Sequence, residues 1–98
     1  MKRYFFVYAN EERTLLHAGV TSDIVKTMKF YDGLITLLPK PKKLNYLVYL
    51  EDTVLEVIAQ KKLIEFGGMK QVEKVKLVES VNPQFIEITA ESLQHQGW

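Results

Sequence analysis

The sequence contains no cysteine in 98 residues, and it has no long hydrophobic run. Without cysteine there is no disulfide framework, no thiolate metal site and no cysteine nucleophile. No apolar stretch approaches the ~18 residues that a membrane span requires. The apolar residues that follow Met1 are few and lead straight into a polar turn, unlike those of a secretory leader. We therefore expect a cytoplasmic protein with no membrane contact.

Neither sign of charge dominates, since 13 lysines and arginines stand against 12 aspartates and glutamates. A net charge of +1 creates no global field toward nucleic acid or anionic lipid, so any such binding must come from a local basic patch. The length and the 47% of hydrophobic residues are typical of one domain with one core, and we expect that domain to span 1–98.

Hydrophobic periodicity predicts a small α/β domain. Two strands joined by a polar turn open the chain and are expected to form an antiparallel hairpin. The predicted order is strand, strand, helix, strand, helix, helix, which makes one sheet with helices packed on it. The strands are predicted over 4–9, 14–21 and 44–50, and the helices over about 24–31, 53–66 and 69–81.

Local signals set the expected ends of these elements. Gly19 inside the second strand indicates a bulge or a close backbone approach. The run Thr21–Asp23 offers N-cap candidates for the first helix, and Asp32-Gly33 is expected to stop it. Thr53–Glu56 has the spacing of a capping box. Pro39–Lys43 is incompatible with a helix or a central strand and predicts an exposed, basic connection.

The C-terminal part is expected to close the domain. Gly67-Gly68 should cap the second helix and Asn82-Pro83 should end the third. The apolar run 85–88 is predicted to pack back on the body, and 94–98 to fray. The side chains expected to face the core are Leu55, Ile58, Ala59 and Leu63 on the second helix and Val72, Val75, Leu77 and Val78 on the third.

Five short pieces of the chain carry a likeness to a known family. They are FVY at 6–8, HAGVTSDI at 17–24, LNYLVYLE at 44–51, AQKKL at 59–63 and ESVNPQF at 79–85. In this order and spacing they resemble the small, single-domain branch of the GIY-YIG nucleases. The resemblance extends over about 4–93.

The resemblance implies a fold and a chemistry. The implied fold is a three-stranded, mainly antiparallel sheet flanked by helices. The implied chemistry is phosphodiester hydrolysis, in which a tyrosine and a water activate the nucleophile and an arginine on the first helix stabilises the phosphate. A glutamate on a later helix holds one magnesium ion. In this sequence the corresponding positions are occupied by Tyr8, His17, Thr27, Tyr31, Lys61 and Asn82.

Two of these positions depart from the family in charge. Thr27 stands where the arginine is expected, and a hydroxyl cannot clamp a phosphate bidentately. Lys61 stands where the glutamate is expected, and an ammonium group repels a cation and has no lone pair to donate. Glu65 lies one helical turn further and is a weak metal candidate, or an i,i+4 ion-pair partner of Lys61. We therefore expect no bound metal or other cofactor.

The other positions leave two interpretations open. His17 is either a half-buried strand histidine or a substitute general base, because imidazole titrates near neutral pH. Tyr8 and Tyr31 match the family, yet aromatic residues at such places also build cores. Asn82 matches as well, and we favour a role as a helix-ending residue.

Three functions are compatible with these residues. The first is a catalytically degenerate domain that binds DNA or RNA without cleaving it. The second is a protein-interaction module or homodimer on a retired nuclease scaffold, with 34–38 and the tail at Trp98 as contact candidates. The third is an endonuclease with a rearranged site that uses His17 and Glu65. The lysines that form the candidate basic patch are Lys26, Lys29, Lys40, Lys42, Lys43, Lys61 and Lys62.

Overall fold

The computed structural model describes residues 3–35, 37, 44 and 46–95. The described chain forms one sheet with helices on both of its faces. The predicted connection at 39–43 and the terminal Trp98 lie outside the described residues. The elements are β1 (Arg3–Ala9), β2 (Leu16–Thr21), α1 (Ile24–Ile35), β3 (Tyr46–Thr53), α2 (Glu56–Gly67), α3 (Gln71–Glu79) and α4 (Ala90–His95).

The sheet has three strands in the order β2-β1-β3, and both pairs are antiparallel. The predicted three-stranded antiparallel sheet is therefore confirmed. In the β1–β2 ladder Phe6 lies opposite Gly19, and Tyr8 lies opposite His17. The β1–β3 register shifts by one residue after Val7. All of 5–9 in the central strand is buried, as expected for a strand covered on both faces.

Two hydrophobic clusters lie on opposite faces of the sheet, because alternate residues of β1 point in opposite directions. On one face Phe5 and Val7 pack with residues of α2 and α3, including Phe66 and Val78. The members of the cluster on the other face come from β1, α1, β3 and the segment just before it, and α4. They are Phe6, Tyr8, Ile24, Tyr31, Leu44, Leu47 and Leu93.

Helix α1 continues past the predicted stop at Asp32-Gly33 and ends at Ile35. A glycine inside a helix costs about 1 kcal/mol, so Gly33 does disfavour continuation of the helix. Tertiary packing outweighs it, because Tyr31 is buried and Leu34 packs against the same cluster. At the other end the predicted cap is confirmed, since the Lys26 backbone N–H donates to Asp23 Oδ1 at 3.1 Å.

The capping box predicted at 53–56 does not form. Thr53 is still in β3, where its hydroxyl donates to the Arg3 carbonyl at 2.9 Å. Helix α2 has Leu55 as its N-cap, with no side-chain hydrogen bond. Leu55 therefore precedes the helix, and the set of α2 side chains that face the core differs from the predicted one. Ala59 and Phe66 are buried and Leu63 is half-buried, whereas Leu55 and Ile58 are exposed.

Helix α3 is shorter than predicted and α4 was not predicted. In α3 Val78 is buried and Val75 and Leu77 pack against the core, but Val72 points to solvent. Helix α4 includes positions 94 and 95, which were expected to fray. Its start carries a local signal, because the backbone N–H groups of Thr89 and Ser92 each donate to the other residue's hydroxyl.

The segment that follows α3 packs back on the sheet, as predicted. Phe85 is buried in the α2–α3 cluster. The Ile88 backbone N–H donates to the Leu47 carbonyl at 2.7 Å, which satisfies part of the open edge of β3. This segment therefore fixes α4 over the face of the sheet that carries Tyr8.

We predict that Gly19→Ala destabilises the fold by about 1–3 kcal/mol, because a Cβ at Gly19 would lie 2.5 Å from the tip of the Phe6 ring. That ring makes edge contacts with Tyr8 and Tyr31 and has little room to move. Urea unfolding measures the loss. Gly33→Ala is the matched control: its Cβ meets no atom within 4 Å, so it should be neutral or stabilise by up to ~1 kcal/mol. Equal effects of the two variants would contradict the prediction.

Candidate functional site

Two of the positions that match the family form a buried aromatic pair. The rings of Tyr8 and Tyr31 stack with centroids 4.0 Å apart and an interplanar angle of 18°. Strand β1 supplies Tyr8 and the third turn of α1 supplies Tyr31, while Phe6 makes edge contacts with both rings. Both tyrosines are almost fully buried, so most of each ring belongs to the core.

Burial also sets the protonation of this pair. Desolvation raises the pKa of Tyr8 well above its usual range, and the negative charges of Asp32, Tyr31 and Glu87 would add to that effect. Burial likewise raises the pKa of Tyr31. Both side chains are therefore neutral phenols near pH 7. A neutral phenol can donate a hydrogen bond, but it is a poor proton acceptor.

His17 lies at the rim of the tyrosine pair. It is opposite Tyr8 in the β1–β2 ladder, and its ring centroid is 6.1 Å from that of Tyr31. Its side chain is exposed rather than half-buried. The structure thus brings together three of the predicted positions: Tyr8, His17 and Tyr31.

Thr27 is part of the anchoring of α1. Its hydroxyl lies 2.8 Å from the Thr21 hydroxyl and 3.0 Å from the Asp23 carbonyl oxygen. The Thr21 hydroxyl in turn accepts the Asp23 backbone N–H. These contacts join the end of β2 to the first turn of α1, so Thr27 has a structural function that needs no charge.

Lys61 and Glu65 lie on α2, which packs on the opposite face of the sheet from the tyrosine pair. Both side chains are exposed. Within the described part of the chain no ion pair joins them; instead Lys62 Nζ lies 2.9 Å from Glu51 Oε2. Among those same residues no cluster of histidine and carboxylate side chains could hold a metal ion. The Lys61 position is therefore separated from Tyr8 by the sheet.

The Lys62 ion pair belongs to a small network with Tyr49. The Tyr49 hydroxyl donates to Glu51 at 2.8 Å, and burial together with this bond raises the pKa of Tyr49 to about 12. Burial alone would raise the pKa of Glu51, but hydrogen bonds from Lys62 and Tyr49 lower it. Lys62 is thus already partnered, which weakens its candidacy as a phosphate contact.

Asn82 connects the C-terminal segment to β3. Its Nδ2 donates to the carbonyls of Val48 and Ile86, each at 2.8 Å. Its Oδ1 accepts the Ile86 backbone N–H at 2.9 Å. These three bonds tie the turn after α3 to the sheet edge, and they agree with a structural role rather than a catalytic one.

Helix α1 also carries exposed side chains, one of which contacts the tyrosine pair. We use the term α1 outer face for Lys26, Lys29 and Phe30, which follow one another at helical spacing and are exposed. Phe30 is 62% exposed, and its ring makes an edge contact with Tyr31 at 5.5 Å. Sequence reasoning missed Phe30, although its i,i+4 spacing from Lys26 was visible. Lys40, Lys42 and Lys43 lie outside the described residues.

Acidic side chains limit the basic character of this surface. Asp32 and Glu87 line a cleft of about 320 Å³ together with Lys29, between α1 and the start of α4. The part of the chain that the structure describes contains no helix that is long and apolar enough to cross a membrane.

Comparison with known proteins supports the fold. No family model matches the sequence, and no curated protein shows significant sequence similarity to it. The structure is similar to the solution NMR structure of the UPF0213 protein BH0048 from Bacillus halodurans, with a TM-score of 0.57 and 16% sequence identity. The similarity covers 87% of this chain and 90% of that chain. This similarity supports the fold of a three-stranded antiparallel sheet with flanking helices.

We predict that Asn82→Ala destabilises the fold by about 1–3 kcal/mol, since it leaves the buried carbonyl of Val48 without its side-chain donor. Urea unfolding measures the effect. Gln84→Ala serves as the control, because the contact that joins Gln84 to Arg13 uses only its backbone carbonyl. If the two variants lost the same stability, the structural role of Asn82 would be wrong.

We predict that Tyr8→Phe is less sensitive to alkaline pH than the unchanged protein. The folded pKa of Tyr8 is raised, so its stabilisation is complete below the unfolded pKa of ~10 and is lost as pH rises above it. Urea unfolding at pH 7 and between roughly pH 9 and pH 11 measures this. The two proteins should agree within about 1 kcal/mol at pH 7 and diverge as pH rises. Parallel pH profiles would show that Tyr8 ionises as readily in the folded state.

Proposed function

We propose that this protein is a non-cleaving GIY-YIG-like domain that binds nucleic acid through the α1 outer face. The observation that carries the proposal is the arrangement around Tyr31. A buried, neutral tyrosine pair is bordered by the exposed ring of Phe30 and by His17, and the same helix carries two exposed lysines, Lys26 and Lys29. This surface offers aromatic rings and positive charge to a ligand, without the arginine and the glutamate that the family uses for hydrolysis.

The loss of cleavage is supported by the two replaced positions. The Thr27 hydroxyl is engaged with Thr21 and Asp23 at the start of α1, where it anchors the helix and carries no charge for a phosphate. Lys61 brings a positive charge where the family places a metal ligand, and it lies beyond the sheet from Tyr8. These two positions therefore provide neither the bidentate phosphate clamp nor the anionic metal ligand that the family uses.

A rearranged nuclease that uses His17 and Glu65 has less support. His17 projects from the face of the sheet that carries Tyr8 and Tyr31. Glu65 is on α2, which covers the other face. A general base and a metal ligand must both reach the same phosphodiester group, and this placement separates them.

Nucleic-acid binding is supported by the chemistry of the α1 outer face. Lys26 and Lys29 can neutralise backbone phosphates, which makes binding salt-dependent. Phe30 and His17 offer ring faces on which unpaired bases stack, and stacking contributes about 1–3 kcal/mol per base. This combination favours single-stranded over duplex ligands, because only unpaired bases expose their faces.

Fluorescence anisotropy with labelled single-stranded and duplex DNA and RNA tests binding, in chelator, at low and moderate salt. We predict that the double variant Lys26→Glu/Lys29→Glu weakens single-strand binding at least tenfold and flattens its salt dependence by roughly 0.7 per lost phosphate contact. Phe30→Ala should weaken binding with no change in salt dependence. Lys76→Glu on α3 reverses one charge away from this face and should leave binding unchanged.

The same probes, incubated with magnesium and resolved by electrophoresis, test cleavage. Intact probes agree with the proposal. Cleavage that disappears in His17→Ala would overturn the non-cleaving assignment and restore the rearranged nuclease. Failure of every probe to bind at low salt would overturn nucleic-acid binding.

A further inference from the structure

A cleft adjoins the α1 outer face, between α1 and the segment that leads into α4. It has a volume of about 320 Å³ and is lined by Val25, Met28, Lys29, Asp32, Glu87, Thr89 and Ala90. Lys29 belongs both to the cleft and to the α1 outer face, so a ligand bound on that face can extend into the cleft. Binding sites for small molecules start at roughly 300 Å³, so the cleft suits one ring system rather than several.

Three charged side chains line this cleft without neutralising one another. Within the part of the chain that the structure describes, the side chains of Lys29, Asp32 and Glu87 make no hydrogen bond and no ion pair. All three are exposed. The Thr89 hydroxyl, in contrast, accepts the backbone N–H at the start of α4. The cleft therefore offers one cation and two anions to a ligand that carries both a negative group and hydrogen-bond donors.

The two carboxylates come from different segments and lie on the same face of the sheet. Asp32 is on the third turn of α1. Glu87 precedes Ile88, whose backbone N–H is bonded to β3 at 2.7 Å. Burial is the main reason that the pKa of Tyr8 is raised, and the charges of Asp32 and Glu87 add to it. Both carboxylates therefore act on one phenol, and an ordered backbone holds each of them near it.

We propose that this cleft binds an unpaired guanine base of a single-stranded ligand, with Asp32 and Glu87 as acceptors and Lys29 beside the phosphate backbone. The inference rests on the proposed nucleic-acid binding and adds a base preference to it. An ionised carboxylate only accepts hydrogen bonds. Guanine presents its N1–H and its amino group side by side on the edge that is free in a single strand. One carboxylate can accept both donors, and the other can accept the remaining amino hydrogen.

The other bases fit these acceptors less well. In cytosine and adenine the amino group lies beside a ring nitrogen whose lone pair repels a carboxylate. In uracil and thymine the ring N–H lies between two carbonyl oxygens. The apolar side chains of Val25, Met28 and Ala90 can contact the face of any base, so they contribute affinity without distinguishing among bases. The carboxylates therefore determine the preference.

Fluorescence anisotropy tests the preference with oligouridine RNA probes that differ in one central base, which is guanine, hypoxanthine or uracil. We predict that the guanine probe binds about tenfold or more tightly than the uracil probe. The hypoxanthine probe, which lacks the amino group, should lie between them. Asp32→Asn and Glu87→Gln should each remove most of the difference, because an amide replaces one acceptor oxygen with a donor. Glu79→Gln on α3 is the matched control and should leave the difference unchanged.

Methionine methyl resonances give a second readout that needs no variant. The chain has three methionines. Met28 lines the cleft, whereas Met69 packs in the cluster on the opposite face of the sheet. The ring of a bound guanine should shift the Met28 methyl proton signal and leave that of Met69 in place. A saturating guanine probe that leaves Met28 unshifted would contradict the proposal.

The outcomes separate this inference from the proposed function. Binding without a base preference, or a preference that survives both carboxylate variants, would overturn the guanine site while nucleic-acid binding stands. An equal gain in affinity for every probe in Asp32→Asn would overturn it too, because the carboxylates would then only repel the backbone. Failure of every probe to bind at low salt would overturn the proposed function and this inference together.

Discussion

The central strand β1 must bury both of its faces, and the rest of the structure follows from this constraint. Its odd-numbered residues require a cover that α2 and α3 provide, and its even-numbered residues require a cover that α1 and α4 provide. Tyr8 is one of the even-numbered residues, so its ring is buried in the hydrophobic cluster under α1 and α4. Its stacking on Tyr31 and its raised pKa are consequences of that position.

The same constraint divides the positions that match the family's catalytic residues between the buried core and the helix surfaces. Positions 8 and 31 lie in the core under α1, and the Asn82 side chain bonds to a sheet-edge carbonyl. These residues stabilise the packing whether or not a reaction takes place. Positions 27 and 61 lie at the helix surfaces, where Thr27 is half-buried and Lys61 is exposed. A change of charge at the exposed Lys61 costs the fold little, whereas Thr27 also holds the start of α1 through its hydroxyl contacts.

Most of the fold was predictable from local patterns, and so were some details. The aromatic run of β1, the close approach at Gly19 and the cap at Asp23 each depend on neighbours along one hairpin or one helix turn. The failures depend on contacts between distant segments. Packing of Tyr31 and Leu34 in the core allows α1 to continue past Gly33. The hydrogen bond from Thr53 to the Arg3 carbonyl keeps Thr53 in β3, so Thr53 cannot cap α2. For the site, the sequence predicted which residues match the family, but not that the sheet separates Lys61 from Tyr8.

The exposed side chains explain why function was harder to predict than fold. Periodicity identified an apolar stripe on α2 but placed it toward the core, because Leu55 was counted as helical and it precedes the helix. The side chains of α2 that pack on the sheet are instead Ala59, Leu63 and Phe66. Val57 and Ile64 are therefore exposed on the opposite side of the helix. Lys61 lies between Val57 and Ile64 on this exposed side of α2, so the position that the resemblance assigns to a metal ligand faces away from the sheet and from Tyr8.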